Sequence, residues 1–302
     1  MKETILVTGY GGFLGAAICR WLLRRGYRVR GVARQHYPEL NALGVESIAA
    51  DLCDATSVAA ACRGVDAIIH TAAKAGVWGD RKEYEAINVG ATLELLSVAR
   101  QLGIGTFVYC SSPSVTFDGT PQSGIDERAP YPKKWYCDYP RTKAIAEQAV
   151  LAANEPGVLL TCSLRPHLIW GAGDPHLFPR VIERCRSGRL KRVGSGRNLI
   201  DTVHVEHAAE AHGLALEKLL KGEKGPSGRA YFVTDEAPIA CWDWITQILS
   251  LEGLKAPRSA IPLSLAFAVG GLMELIYRIS RRKDEPPMTR FVALQLGVDH
   301  YF

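Results

Sequence analysis

The chain has 302 residues, 47% of them hydrophobic and 22% charged, with a net charge of +5. That is the composition of an ordinary soluble globular protein, long enough for one large α/β domain with a smaller lobe attached. No basic stripe interleaved with aromatics points to nucleic acid, and a solvated surface with a few extra arginines accounts for the mild charge, although it also suits an anionic cofactor or substrate. Eight cysteines are scattered over positions 19, 53, 62, 110, 137, 162, 185 and 241, without a CxxC pair or a close Cys/His cluster. Reduced thiols are expected, with neither a disulfide framework nor a bound metal. The first strand starts within five residues of Met1, which leaves no room for a signal peptide, so a cytoplasmic protein is expected.

The apolar run Ile5-Leu6-Val7 reads as a short buried strand, and it breaks into Gly9-x-x-Gly12-x-x-Gly15 before a helical pattern takes over at Leu14, Ile18 and Trp21 to Leu22. Gly9 permits a tight turn, Gly12 lets backbone approach a pyrophosphate, and Gly15 brings the helix close to the sheet. The positive end of that helix faces the phosphates. Strands follow at 27–33, 45–51, 65–70 and 106–110, with helices at 54–62 and from beyond Ala73 to about 101. Residues 119–136 read as loop, 139–154 as helix, and 159–164 as a strand stopped by Pro166. The alternation argues for a parallel, doubly wound α/β sheet of Rossmann type. Beyond Pro166 it fades. A strand at 199–205 feeds a helix at 206–221, and 221–228 is an exposed loop. Residues 1–165 are expected to bind the cofactor, and 166–302 to form mainly a smaller C-terminal substrate-binding lobe that also returns strands to the sheet.

Tyr139-Pro-Arg-Thr-Lys143 places a tyrosine and a lysine one helical turn apart on one face, with Pro140 in the first turn where a missing N–H costs nothing. A nearby ammonium favours phenolate and lowers a tyrosine pKa from about 10 toward the working range. A hydroxyl from Ser112, at the end of the strand 106–110, could then hold a substrate oxygen while Tyr139 exchanges a proton with it.

Together TGYGGFLG (8–15), DL (51–52), HTAA (70–73), NVGAT (88–92), SSPSV (111–115), YPRTK (139–143) and RPHLIWG (165–171) resemble the extended branch of the short-chain dehydrogenase/reductase superfamily. The resemblance implies catalytic Ser112, Tyr139 and Lys143, with Ser112 preferred to Ser111 because it stands three residues before Val115. It implies cofactor contacts from Gly9, Gly12, Phe13, Leu14, Gly15, Asp51, Leu52, Ala72, Ala73, Tyr139, Lys143 and Pro166, Asn88 as a buttress, and a homodimer by analogy. TAAKAGVWG (71–79), SSPSVTFDG (111–119) and EPPMTRF (285–291) narrow the likeness to the 3β-hydroxysteroid dehydrogenase-like group, and within it to bacterial 2-alkyl-3-oxoalkanoate reductases of olefin biosynthesis. Relatives in that group run on beyond Phe302.

An acid closing the second strand would bind a ribose diol and repel a 2′-phosphate. Here Ala33 and Arg34 stand there, and Arg34, with Arg30 as a second cation, favours NADP(H) while admitting NAD(H). His167 and His176 flank Trp170 and divide between structural and substrate-shaping roles. Asp201, His204 and His207 lie in a segment that resembles one bordering the substrate, and Trp78 and Trp135 are candidates for an apolar pocket. The stretch 260–279 is interrupted by Pro262, Gly270-Gly271 and Glu274, so a lobe helix is expected rather than a span. Arg278, Arg281, Arg282 and Lys283 beyond it also permit peripheral membrane contact. The function expected is NADPH-dependent reduction of the 3-keto group of a hydrophobic substrate, a 2-alkyl-3-oxoalkanoate first. A 3β-hydroxysteroid dehydrogenase, a nucleotide-sugar epimerase or dehydratase, and a cofactor-sensing protein are the competitors.

Overall fold

The structure is a computed structural model, and it describes residues 3–302 apart from positions 176, 236 and 258. Strand β1 (Thr4–Thr8) is buried at every position, as a strand covered on both faces must be. With β2 (Arg28–Ala33), β3 (Glu46–Ala49), β4 (Ala67–His70), β5 (Thr106–Cys110), β6 (Leu160–Pro166) and β7 (Arg229–Val233) it forms one parallel sheet in the order 7-6-5-4-1-2-3. The order turns between β1 and β4, where Thr8 pairs with Val32 on one side and His70 on the other. Loops leaving the carboxyl ends of β1 and β4 therefore open a crevice at that point.

Alternation along β1 sends Ile5 and Val7 to one face of the sheet and Leu6 to the other. On the first face they join Ile18 and Leu22 of α1 (Phe13–Arg24) and Leu216 of a helix at Val205–Leu220. On the second, Leu6 meets Val58 of α2 (Ala55–Cys62), Leu95 of α3 (Ala91–Leu102) and Val150 of α4 (Asp138–Ala152). Helix α5 (Val205–Leu220) and β7 thus return late sequence to the sheet layers.

Three elements differ from expectation. The continuous helix before Gly103 is a short α-helix at Arg81–Tyr84, capped by Asp80, then a π-helical turn at Glu85–Gly90, then α3. The strand at 199–205 is two pieces in different sheets, Leu199–Ile200 and Val203–His204. They part where Asp201 accepts the Phe302 N–H at 2.5 Å and the Thr202 carbonyl accepts Asp235 N–H at 2.8 Å. The loop at 119–136 contributes Gln122–Ser123 to a four-stranded sheet with His300–Tyr301, Leu199–Ile200 and Ile239–Ala240. The stretch 260–279 becomes α6 (Leu263–Ile279), and among the described residues no helix is long and apolar enough to cross a membrane. All eight cysteines are free thiols.

Candidate active site

The crevice begins at Gly9, whose φ of +68° is a left-handed conformation and whose missing Cβ would stand 2.9 Å from the Ala72 backbone. A Cβ on Gly15 would sit 2.2 Å from the Gly9 carbonyl oxygen, so α1 can approach the loop only because that position is bare. Gly12 N–H donates to Gly9 O at 2.9 Å and serves as N-cap without a side-chain partner for the first turn. The free N–H groups that begin with half-buried Phe13 and core-packed Leu14 therefore face the crevice. This bare, positively polarised cradle fits a pyrophosphate. Ala72 and Ala73 follow β4 on the opposite wall, where Ala72 N–H donates to Thr8 Oγ1 at 3.3 Å. Past β3, exposed Asp51 accepts Cys53 N–H at 2.9 Å, and Leu52 packs against the second core.

Arg34, just past β2, is exposed and has no ion-pair partner among the described residues, and its charge reaches the Cys53 thiol. Arg30 is corrected as a second cation for the cofactor. Its guanidinium is spent on Glu46 at 3.0 Å and on the carbonyls of Ala61 and Arg63 at 3.0 and 2.6 Å. Tyr37, which stands in none of the quoted motifs, packs edge-on against Tyr10 of the glycine loop at 5.2 Å. Tyr37 lies over the glycine loop, so that a Cβ on Gly11 would meet its ring at 1.9 Å, and its N–H donates to Tyr10 Oη at 3.1 Å.

Across the crevice Ser112 ends the loop after β5, bonded to Ser114 Oγ at 2.8 Å. Tyr139 sits in the first turn of α4 and Lys143 one turn on. A cavity of about 240 Å³ is lined by Ser112, Tyr139, Pro166, His167, Phe291 and Gln295, among others. Burial pushes the Tyr139 phenol above its ordinary range, and the neighbouring Ser112 hydroxyl draws it back. The lysine was expected to do this. Here the Lys143 ammonium points to Cys110 O at 2.5 Å and stands 4.1 Å from the Tyr109 ring centre. Burial lowers Lys143 to about 8, with Cys110 and Glu147 opposing that shift.

Two buried networks hold this helix, the first of them without any sign in the sequence. Glu147 lies one turn beyond Lys143 and binds Arg165 at 2.6 Å, Tyr131 at 2.8 Å and Ser163 at 2.8 Å. Asn88, turned inward by the π-turn, accepts Lys74 N–H at 2.7 Å and donates to Thr142 Oγ1 at 3.0 Å. Thr92 and His70 continue that chain to Thr8, with His70 at 2.9 and 2.7 Å from the two threonine hydroxyls. Asn88 was expected as a buttress, and Thr8, His70 and Thr92 stand in the quoted motifs, but their connection was not foreseen.

Other candidates separate from the cavity. His207 bonds Asp235 at 2.7 Å and His204 caps α5, and neither they nor Asp201 line either cavity described here. Trp78 lines a second cavity of about 370 Å³ with Arg81, Tyr136, Asp138, Glu274 and Arg278, whereas Trp135 lines neither. His176 lies outside the described residues. Among those residues no group of His, Cys, Asp or Glu is arranged to hold a metal ion.

A glycine cradle at the turning point of a parallel sheet, facing a tyrosine, a lysine and a serine, defines an NAD(P)-dependent dehydrogenase or reductase of the extended short-chain type. The chain belongs to the 3-beta hydroxysteroid dehydrogenase/isomerase family, whose model matches residues 6–265. It is 45% identical over 302 residues to a 2-alkyl-3-oxoalkanoate reductase of Shewanella oneidensis, covering 98% of this chain and 78% of that one. A protein of the same name from Stenotrophomonas maltophilia is 45% identical over 300 residues, with 99% and 90% covered. Among solved structures, gox2253 superposes with a TM-score of 0.75 at 28% identity, covering 98% of this chain and 88% of that one. The UDP-glucose 4-epimerase of Thermus thermophilus, in complex with NAD, gives 0.70 at 26% identity, with 86% of each covered.

Proposed function

We propose that the protein reduces the 3-keto group of a 2-alkyl-3-oxoalkanoate to the 3-hydroxy acid with NADPH. The observation that carries the reading is the meeting of Ser112 and Tyr139 on one small apolar chamber beside the glycine cradle, in a chain 45% identical to two reductases of that name. When bound, the nicotinamide cofactor supplies the hydride. Gly9, Gly12, Phe13, Leu14 and Gly15 would hold its pyrophosphate, Asp51, Leu52, Ala72 and Ala73 its adenosine side, and Lys143 and Pro166 its nicotinamide end. Arg34, lacking an acid beside it, would take a 2′-phosphate. Ser112 and Tyr139 hydrogen-bond the substrate carbonyl oxygen, and Tyr139 gives that oxygen its proton as the alcohol forms. A phenol held protonated by burial suits an acid. Lys143, one helical turn on, would supply positive charge to the phenolate that remains.

The chamber of about 240 Å³ is smaller than a typical ligand pocket of about 300–1,000 Å³ and takes the reacting core of a substrate only. Val77 lines both chambers, so the second lies next to the first on the side where an alkyl chain would leave it. In this reading residues 1–165 serve the cofactor, 166–302 mainly enclose the substrate, and α6 rests against a membrane surface.

The test offers purified protein NADPH and NADH with a 2-alkyl-3-oxoalkanoate or a 3-oxosteroid, and follows nicotinamide absorbance. Oxidation of NADPH with the acid is expected. Turnover of the steroid alone would move the assignment to steroid metabolism, and preference for NADH would remove the role given to Arg34.

A further inference from the structure

We propose that His167 binds the carboxylate of the substrate and so selects 3-oxo acids over neutral ketones; this rests on the substrate assignment above. His167 follows Pro166 at the end of β6, and its N–H donates to Val233 O at 3.1 Å, which fixes its place on the chamber wall. It lines the same cavity as Ser112 and Tyr139, with the residue 6% exposed. The ring is wedged edge-on against His300 and Phe302, at 5.0 and 5.1 Å between centroids. Yet Nδ1 is enclosed without a partner, and the ring makes no hydrogen bond to any described residue. That leaves Nε2 as the edge it can offer to the chamber. Nε2 is not enclosed and has no protein partner among the described residues, so a carboxylate oxygen in the chamber can accept a hydrogen bond from it.

The rest of the wall makes the histidine the natural counter-charge. No lysine or arginine is among the described lining residues of this chamber, and its other polar side chains are Ser112, Ser114, Tyr139 and Gln295. In a 3-oxo acid the carboxyl carbon is two bonds from the ketone carbon. A carbonyl oxygen at Ser112 and Tyr139 therefore keeps the carboxylate inside the same small chamber. A carboxylate in apolar surroundings without a paired donor is strongly disfavoured. Burial, aided by His300, keeps the imidazole neutral at rest, and a carboxylate brought against it favours the N–H donor or the imidazolium. The second cavity, whose Arg278 stacks over the Trp78 ring at 5.8 Å, is less suited to an acid. There Arg81 already holds Glu85 at 3.1 Å, and Asp138 and Glu274 face any incoming acid.

The experiment runs in the oxidative direction, because a 2-alkyl-3-hydroxyalkanoate is stable whereas its β-keto acid loses CO2 on standing. Wild type, His167→Phe and His167→Gln are given NADP+ with the hydroxy acid or its methyl ester. Thermal melting and NADPH fluorescence titration check fold and cofactor binding. His167→Phe should raise KM for the acid about tenfold or more, as expected for losing a charge-assisted hydrogen bond of ~1.5 kcal/mol. KM for the ester should stay within about twofold, below ~0.4 kcal/mol, and His167→Gln should restore part of the acid's affinity. Equal losses with acid and ester, or no loss with either, overturn the proposal. Should the phenylalanine variant fail to fold, the acid-to-ester ratio of the glutamine variant decides. Wild type inert toward the acid but active on the ester or on a 3-hydroxysteroid would instead overturn the substrate assignment, and this inference with it.

Discussion

Lys143 is buried and Tyr139 partly buried, and the part each plays can be measured separately. Tyr139 is a phenol in surroundings that keep its proton on, so the proton is present when an alkoxide forms above it. Tyr139→Phe removes that proton and little else. Turnover should fall by about 10²–10⁴-fold, the range of general acid catalysis, while NADPH affinity by fluorescence titration stays near that of wild type. Lys143 carries its charge where burial opposes it, from an ordinary 10.5 down to about 8. Between those values the unfolded chain holds a proton that the native protein has released, so stability from this group rises with pH across that window. At pH 7 the penalty is fully present. Lys143→Met abolishes the titration, so wild type should gain ~3 kcal/mol on the variant between pH 8 and pH 10.5, read from urea unfolding at the two ends. Parallel curves for the two proteins would mean that the lysine is not desolvated as the structure has it.

Among the elements, the π-turn at Glu85–Gly90 does what a regular helix could not: it rotates Asn88 inward, where its amide ties the 74–79 loop to Thr142 in the helix that carries Tyr139 and Lys143. Asn88→Ala should therefore act through position. Misplacement of a reacting group by about 1 Å can cost ~100-fold, and we expect kcat to fall at least about tenfold, with KM nearly unchanged and Thr142→Val reproducing part of the loss. His70 completes that chain as a neutral ring whose pKa burial has lowered to about 3. As pH falls below 6.5 the unfolded chain takes up a proton the native ring refuses, so stability falls. His70→Gln should flatten the fall in unfolding free energy, read from urea titrations, by ~2 kcal/mol between pH 6.5 and 5. These networks mark the boundary of what sequence discloses. The glycine loop and the Tyr139/Lys143 pair lie within single strand–turn–helix units, so local spacing revealed them. The π-turn kept the helical pattern of its flanks, the break at Asp201 depends on the Phe302 backbone one hundred positions on, and Arg30 was diverted by Glu46 and carbonyls at 61 and 63. Each of these turns on a partner distant in sequence. The two-residue strands of the late chain offer no period to read.

For the molecule as a whole, the largest feature unexplained by the reaction is the outer face of α6. Leu265, Val269, Leu272, Ile276 and Ile279 recur at alternating spacings of four and three, and are 51%, 36%, 58%, 50% and 75% exposed. That spacing keeps them in one stripe. At the end of the stripe and beyond it come Arg278, Arg281, Arg282 and Lys283, and there Trp78 packs edge-on to Tyr277 at 6.2 Å. An apolar stripe edged by cations and amphipathic aromatics suits the boundary of an anionic bilayer, where each basic residue adds about 1 kcal/mol of attraction. The same helix supplies Glu274 and Arg278 to the second cavity, so an apolar substrate dissolved in lipid would meet the protein beside that opening. The protein should therefore sediment with vesicles containing phosphatidylglycerol, less so with phosphatidylcholine alone, and binding should weaken as salt screens the cations. The double variant Leu272→Lys, Ile276→Lys should abolish sedimentation and leave turnover of a short, water-soluble substrate unchanged. If vesicles are ignored and the variant instead changes the elution volume on a sizing column, the stripe is covered by a second copy of the chain, because a four-and-three repeat also packs helix against helix.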